Sequence, residues 1–283
     1  MTIPATQTIV NPVTGVFGTG QVQVFSASGT WTVPAGIGKC RVRVWGAGGG
    51  YCSNASYYAG GGGGGFAMKS IYDLSGVTSV AVVVGTGGAI TSTASTNGTA
   101  GGTSSFGSYV SATGGYTAST TPATLNVGGT GVGGDINTSG GRGASGSSAG
   151  GGGCASLFGS GGDGGSSFPG FNAFGGAGGG SGLTSAAGNN IGGNGGFGNA
   201  GASLLNSTYP YQLAAQSGLS GALCLDFIGT GGGACYQMPG ANGGGGSSAT
   251  YPGFPGGGSG YNGRTFGTAG TQVGANGLVV VEW

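Results

Sequence analysis

The clearest pattern along the chain is strict alternation at 39–45. There Cys40, Val42 and Val44 share one face, and Arg41, Arg43 and Trp45 share the other. This predicts a strand whose first face is core and whose second is wet or turned to a partner. Before it, residues 21–25 alternate and 30–33 read as a short strand. Pro34-Ala35-Gly36 supplies turn chemistry. Residues 66–71 and 104–113 are further strand candidates, the latter alternating around Phe106 and Tyr109. The run 77–84 is apolar on both faces, which predicts a central strand covered twice. The chain ends in LVVVEW, an apolar strand at 278–283 that needs partners, and those at hand are 21–25 and 39–45. No stretch has the period of an amphipathic helix, although 204–228 has ordinary composition and could hold a short helix or a strand pair.

The expected class is therefore all-β with little or no helix: a small β-sheet or sandwich framework closed by its N- and C-terminal strands. Residues 1–24 read as an arm or attachment segment, 25–126 as the framework, 127–277 as a glycine-rich tip region, and 278–283 as the closing strand, with 25–283 forming one domain.

Composition changes the picture most between the strands. The chain of 283 residues holds 79 Gly and 9 Pro, about 31% together, a level at which aperiodic sequences are commonly disordered. Its 12 Phe, 11 Tyr and 3 Trp argue for an ordered protein. Over a hundred glycine-rich residues are too many for a coil loop. With no Cβ, extended threefold segments can pack as parallel rods and satisfy each other's N–H and C=O groups, the polyglycine II arrangement. Other residues then belong at the rim of the bundle. No Gly-X-Y period persists, which rejects collagen.

Charged residues are only 4% of the chain, with a net charge of +1. That argues against nucleic acid as partner, since phosphate binding needs clustered Lys and Arg, and it suits part of a larger assembly. Cys40, Cys52, Cys154, Cys224 and Cys235 are odd in number and lack C-x-x-C spacing, so neither a metal site nor a disulfide framework is signalled. Free thiols point to assembly in a reducing cytoplasm. The N-terminus has no signal-peptide pattern, and no apolar run is long enough to span a membrane.

The chain has no His, which excludes a Ser–His–Asp or Cys–His site. Its five carboxylates, Asp73, Asp135, Asp163, Asp226 and Glu282, are far apart in sequence and read as solvated or turn-capping groups. Matches to G-x-G-x-x-G are uninformative at this glycine content. Residues 129–136 approach a calcium repeat with the wrong spacing and no tandem copy. The expectation is a protein that is not an enzyme, with no cofactor and no metal. The more informative set is aromatic. Tyr51, Tyr57 and Tyr58 precede the glycine run at 60–65. Phe168, Phe171 and Phe174 punctuate a second glycine stretch, and Tyr251, Phe254 and Tyr261 a third. Aromatics on short glycine loops suit stacking on sugars or insertion into protein pockets, so these nine are the candidate receptor-binding residues, alongside a role in small satellite cores.

The succession GTWTVPAG, KCRVRVWGAGGG, GGGGGF, VAVVVGTGG, GGTSSFG and terminal GLVVVEW resembles the glycine-rich domain of phage and prophage tail-fibre and receptor-binding proteins. In composition the chain is also similar to the distal adhesins of T-even-like phages. The resemblance implies a β framework, a glycine-rich tip and adhesion to a host-surface protein or glycan. The expected setting is a virion tail fibre or tail tip, docked to other tail proteins through 1–24, with a homotrimer as the expected assembly. The alternatives are a purely structural virion component (a short fibre or capsid decoration) and a secreted glycine-rod protein that binds ice or matrix.

Overall fold

The computed structural model describes residues 6–9, 21–54, 57–89, 98–116, 127–145, 148–164, 253–262 and 273–283. Among them there is no helix. The strands are β1 (Thr6–Ile9), β2 (Val22–Phe25), β3 (Gly29–Thr32), β4 (Cys40–Trp45), β5 (Cys52–Asn54), β6 (Tyr57–Ala59), β7 (Phe66–Ile71) and β8 (Ser79–Val83). They continue as β9 (Ser104–Phe106), β10 (Val110–Ala112), β11 (Gly131–Val132), β12 (Ile136–Thr138), β13 (Ser148–Ala149), β14 (Tyr261–Asn262) and β15 (Leu278–Glu282). Two antiparallel sheets carry the framework, one in the order β1-β2-β15-β4-β7-β12 and the other β11-β10-β9-β8-β3.

The terminal strand lies between the two partners expected of it. Val280 is opposite Val24 of β2 on one side and Arg43 of β4 on the other. Alternation in β4 and β15 turns Cys40, Val42, Val44, Val279, Val281 and Trp283 inward. They meet Trp31, Val80, Val82, Phe106 and Val110 of the second sheet, and Trp31 is wedged against Phe106 and Trp283 at ring separations of 5.6 and 5.7 Å. Each large buried side chain here contributes about 1.5–3 kcal/mol. Two strands of the six-stranded sheet, β1 and β2, begin within the segment expected to be an arm.

Two expectations are corrected. The second face of β4 is covered, not wet. Trp45 packs on Phe66 at 4.9 Å and joins Leu278, Val280, Cys154 and Ala155 in a second core, because the chain returns over that face at 154–157. Arg43 is also buried there and pairs with Glu282 at 3.3 Å, with Arg41 at 3.7 Å from the same carboxylate. Conversely, β8 is covered once. Val80 and Val82 are buried but Ser79, Ala81 and Val83 are exposed, because the glycine region continues the sheets end-on and does not lie across this face.

That continuation is the main feature of the fold. β4, β8, β10 and β12 run on into extended rods, and other rods lead into β7, β9, β11 and β15. In the 60–65 rod, successive N–H groups donate in three directions and repeat every third residue. Gly60 and Gly63 donate to Ala144 and Gly141, Gly61 and Gly64 to Ser259 and Gly256, and Gly62 and Gly65 to Tyr116 and Thr113, at 2.7–3.1 Å. Its carbonyls accept from three more rods, through Gly46 and Gly49, Gly152 and Ala155, and Gly129. The three-residue period is that of the polyglycine II helix. The 46–50 rod is enclosed in the same way. It donates to 60–65, 98–102 and 273–277, and it accepts from Gly115, Gly88 and Ser259.

Traced through all such bonds, eleven rods form three layers. The outer layer is 98–102, 113–116 and 127–131. The middle one is 139–144, 60–65, 46–50 and 85–89. The third is 161–164, 150–155, 256–259 and 273–277. Five of the eleven precede residue 127, so framework and glycine region alternate along the chain and are not consecutive blocks.

Space, not backbone angle, makes glycine obligatory here. Among the rod glycines only Gly256 has positive φ. A Cβ on Gly61 would overlap the Gly49 carbonyl, on Gly63 that of Gly153, and on Gly64 that of Gly46. The hydrogen on that side points at the carbonyl instead, a Cα–H···O contact. Where the lattice runs out, side-chain oxygens replace the missing rod. Ser104 Oγ accepts from Gly85 N at 2.9 Å, Asn276 Oδ1 from Gly87 N at 2.8 Å and Thr99 Oγ1 from Ala89 N at 2.8 Å.

Gly63→Ala is expected to destabilise the domain by about 3 kcal/mol or more, since the lattice must part to admit the methyl. Gly38→Ala, with nothing within 4 Å of its Cβ position, is expected to stay within about 0.5 kcal/mol of the parent. Urea unfolding of the two variants checks the contrast. Ser104→Ala leaves the Gly85 N–H buried without its acceptor and is expected to cost about 1–3 kcal/mol in the same assay.

Candidate functional site

The rods have two ends. One set, at 46, 65, 85, 102, 113, 130, 139, 155, 161, 256 and 277, lies toward the sheets. The other set ends at 50, 60, 89, 98, 116, 127, 144, 150, 164, 259 and 274, on the far side of the lattice. The described segments beyond that far end form a tip. The hairpin of β5 and β6 lies there, as does the pair β13–β14, and a bridge between Ala59 and Ser145 joins them. The connections 51–59, 90–97, 117–126 and 144–149 contain no Asp, Glu, Lys or Arg. They are made of Ser, Thr, Asn, Ala and Tyr with a few other small or apolar residues.

The tip gathers some of the candidate aromatics. Tyr51 sits at the end of the 46–50 rod but is 93% buried, and burial raises its phenol pKa, so it anchors the tip from below. Tyr57 and Tyr58 lie in β6, and Tyr261 lies in β14 opposite Ala149, so the backbone brings all three to the tip. Phe254 is 37% exposed but sits at the sheet end of the 256–259 rod, the opposite end from Tyr261. Phe168, Phe171, Phe174 and Tyr251 lie outside the described residues, as does the island 204–228.

One tip aromatic was missed. Tyr116 ends the 113–116 rod with its side chain 51% exposed. The signal was present, since Gly114-Gly115-Tyr116 repeats the Gly-Gly-Tyr of Gly49-Gly50-Tyr51, but Tyr116 was not beside a long glycine run.

The described carboxylates have structural partners. Asp73 Oδ1 accepts from Ser75 N at 2.8 Å, and its hydrogen bonds to Ser75 lower its pKa. Asp135 Oδ2 accepts from Ser70 N at 2.7 Å, in the hairpin that follows the 127–131 rod. Asp163 Oδ1 accepts from Arg142 N at 2.7 Å, and Glu282 holds the two arginines. Asp226 lies outside the described residues. Lys39, Arg41, Arg43, Lys69, Asp73, Asp135 and Glu282 all belong to the sandwich, so the described charge is concentrated away from the tip.

Cys40 is buried in the inter-sheet core, and burial pushes its thiol up to about 12. Cys154 is buried beneath Trp45 and is raised further. Both act as small apolar side chains.

A sandwich that runs into a hydrogen-bonded glycine lattice defines a glycine-rich all-β protein. The chain belongs to the glycine-rich domain family, whose model matches residues 23–283. No curated protein matches it.

The Cys40 thiolate is disfavoured in the folded state relative to its ordinary value of 9.0. Its contribution to stability is therefore fully present below about pH 9 and is lost as pH rises toward about 12. Cys40→Ala is expected to flatten the alkaline limb of a stability–pH profile over that window. At pH 8, mass-spectrometric footprinting with iodoacetamide is expected to leave Cys40 and Cys154 unlabelled until the protein is unfolded.

Proposed function

We propose that this protein is the receptor-binding tip of a phage tail fibre, adhering to a host-surface protein or glycan through the loops at the far end of its glycine lattice. The observation that carries this reading is the polarity of the molecule. The lattice gathers the Tyr-, Ser-, Thr- and Asn-bearing connections at one pole. At the other pole the N–H of Trp283 donates to the Gln21 carbonyl at 3.0 Å, and in this reading the segment 1–20 serves to dock the protein to the rest of the tail.

The lattice is a suitable mount for such loops. Each interior rod is held on six sides, so the ends of the connections are fixed before a receptor arrives and little ordering cost remains. Tyrosine offers large, stiff, amphipathic contact area, while Ser, Thr and Asn offer adaptable hydrogen bonding. With no charge in the four loops named, adhesion relies on shape, stacking and hydrogen bonds, not on long-range steering.

Purified protein is expected to bind host cells and to block infection, with apparent affinity changing less than about threefold between 50 and 500 mM salt. Tyr57→Ala, Tyr58→Ala and Tyr116→Ala are expected to weaken binding about tenfold or more at unchanged thermal stability. Phe254→Ala, at the other end of the lattice, is expected to leave binding intact. Full cell binding by all three tip variants overturns the assignment of the tip, and no cell binding by the parent protein favours a purely structural virion component.

A further inference from the structure

The third layer of the lattice is enclosed on one side only by the described chain. The interior 60–65 rod has a neighbour in each of six directions, and the 150–155 rod has four: 60–65, 139–144, 161–164 and 256–259. In 60–65 every third N–H and every third C=O reaches the same neighbour. Carried over to 150–155, that period assigns the two remaining directions to the backbone groups of Gly151 and Cys154. The N–H and C=O of Gly151 have no hydrogen-bond partner among the described residues, and neither has the C=O of Gly258 in the adjoining rod.

This side is nonetheless buried. All of 150–155 and 256–259 lie out of solvent, Cys154, Ala155 and Ser259 included. The outer layer, also enclosed on one side only, shows the contrast, since Thr99, Ala100, Tyr116, Val127 and Thr130 are exposed there. A buried backbone N–H or C=O is nearly always paired. What covers Gly151 must therefore bring backbone donors and acceptors with a three-residue period, on a segment bare enough to come within hydrogen-bond reach of a glycine rod.

We infer that the segment 175–180, Gly-Gly-Ala-Gly-Gly-Gly, docks on this side of the third layer as a rod of a fourth. It is the longest run of glycine and alanine in 165–252, and it matches the 150–155 rod in length. Its single alanine has a precedent in Ala47, which is buried within the enclosed 46–50 rod. Connectivity fits as well. The described chain leaves the lattice at Gly164, at the far end, and returns at 253–256, at the sheet end. The segment between them has to cross the height of the lattice an odd number of times. A crossing as a glycine rod beside 150–155 supplies the backbone partners that Gly151 lacks. The inference is independent of what the tip binds.

Hydrogen exchange of the full chain, read by mass spectrometry of peptic peptides, tests this. Cleavage after Phe174 and Leu183 isolates 175–183. Its amides are expected to exchange about a hundredfold or more slowly than in the unfolded chain. Gly178→Val, Gly179→Val and Gly180→Val, made singly, turn the added side chain in three different directions under the three-residue period, so one of them meets the third layer. At least one is expected to speed exchange at 150–155 about tenfold or more, while β4 and β15 stay as protected as in the parent. Where a valine variant unfolds, alanine at the same position replaces it. Unprotected amides in 175–183 overturn the inference, and so does unchanged exchange at 150–155 in every folded variant. A response to valine in 243–246 and not in 175–180 overturns it in favour of that run. Exchange at 150–155 that speeds on dilution from about 50 to about 1 μM overturns it in favour of a second copy.

Discussion

The structure depends on one constraint: two polypeptide backbones can hydrogen-bond side by side in every direction only where neither carries a Cβ. A strand pairs with two neighbours and shields its other sides with side chains. The 60–65 and 46–50 rods each pair with six neighbours, and apart from the buried Ala47 both are glycine throughout. Glycine loses the most entropy on folding, and here that loss is offset by a lattice in which consecutive N–H groups find acceptors on different rods. The requirement is strictest at the two interior rods. It relaxes at the rim, where Thr99, Thr113, Ser104 and Asn276 stand in for the rod that is missing.

The sandwich and the lattice need each other. The sheets fix the spacing and register from which the rods start, and a core built on Trp31, Phe106 and Trp283 holds the sheets together. In return, the lattice ties β4, β7, β9, β10, β12 and β15 across the two sheets, since each of them runs into a rod that bonds to the others. The closing strand β15 is central twice, once between β2 and β4 and once through the 273–277 rod. The described charged groups lie mainly in the sandwich, where carboxylates cap turns and Glu282 gathers two arginines. Dense, backbone-packed rods, in which Arg142 and Asp163 are the described charged residues, separate them from the connections at the far end.

The strands were legible because their signal is local. The alternation Cys40, Val42, Val44 and the apolar run 278–283 identify an inward face and its partner before any contact is seen. Less local facts were not. Alternation marks Trp45 as lying opposite Val44, but it does not say that residues 154–157 return to cover Trp45, so that face read as wet. The apolar run at 77–84 read as doubly covered because nothing in the run shows that the glycine segments leave the sheet end-on. Phe254 and Tyr261 stand seven residues apart and read as one cluster. Along an extended rod, seven residues is the full height of the lattice, so they lie at opposite ends.

What the sequence alone determined is the physics available to each segment. Side-chain alternation commits 39–45 and 278–283 to a sheet, and unbroken glycine commits 60–65 to packing by backbone. It also settles the poverty of charge. The tertiary structure decided which rods are interior, which end of the bundle carries the β5–β6 and β13–β14 pairs, and which aromatics share that end. Glycine has no side chain to encode a partner, so a glycine run states that it can be surrounded without stating by what. The register of the lattice comes instead from the sheets, whose side chains do carry that information.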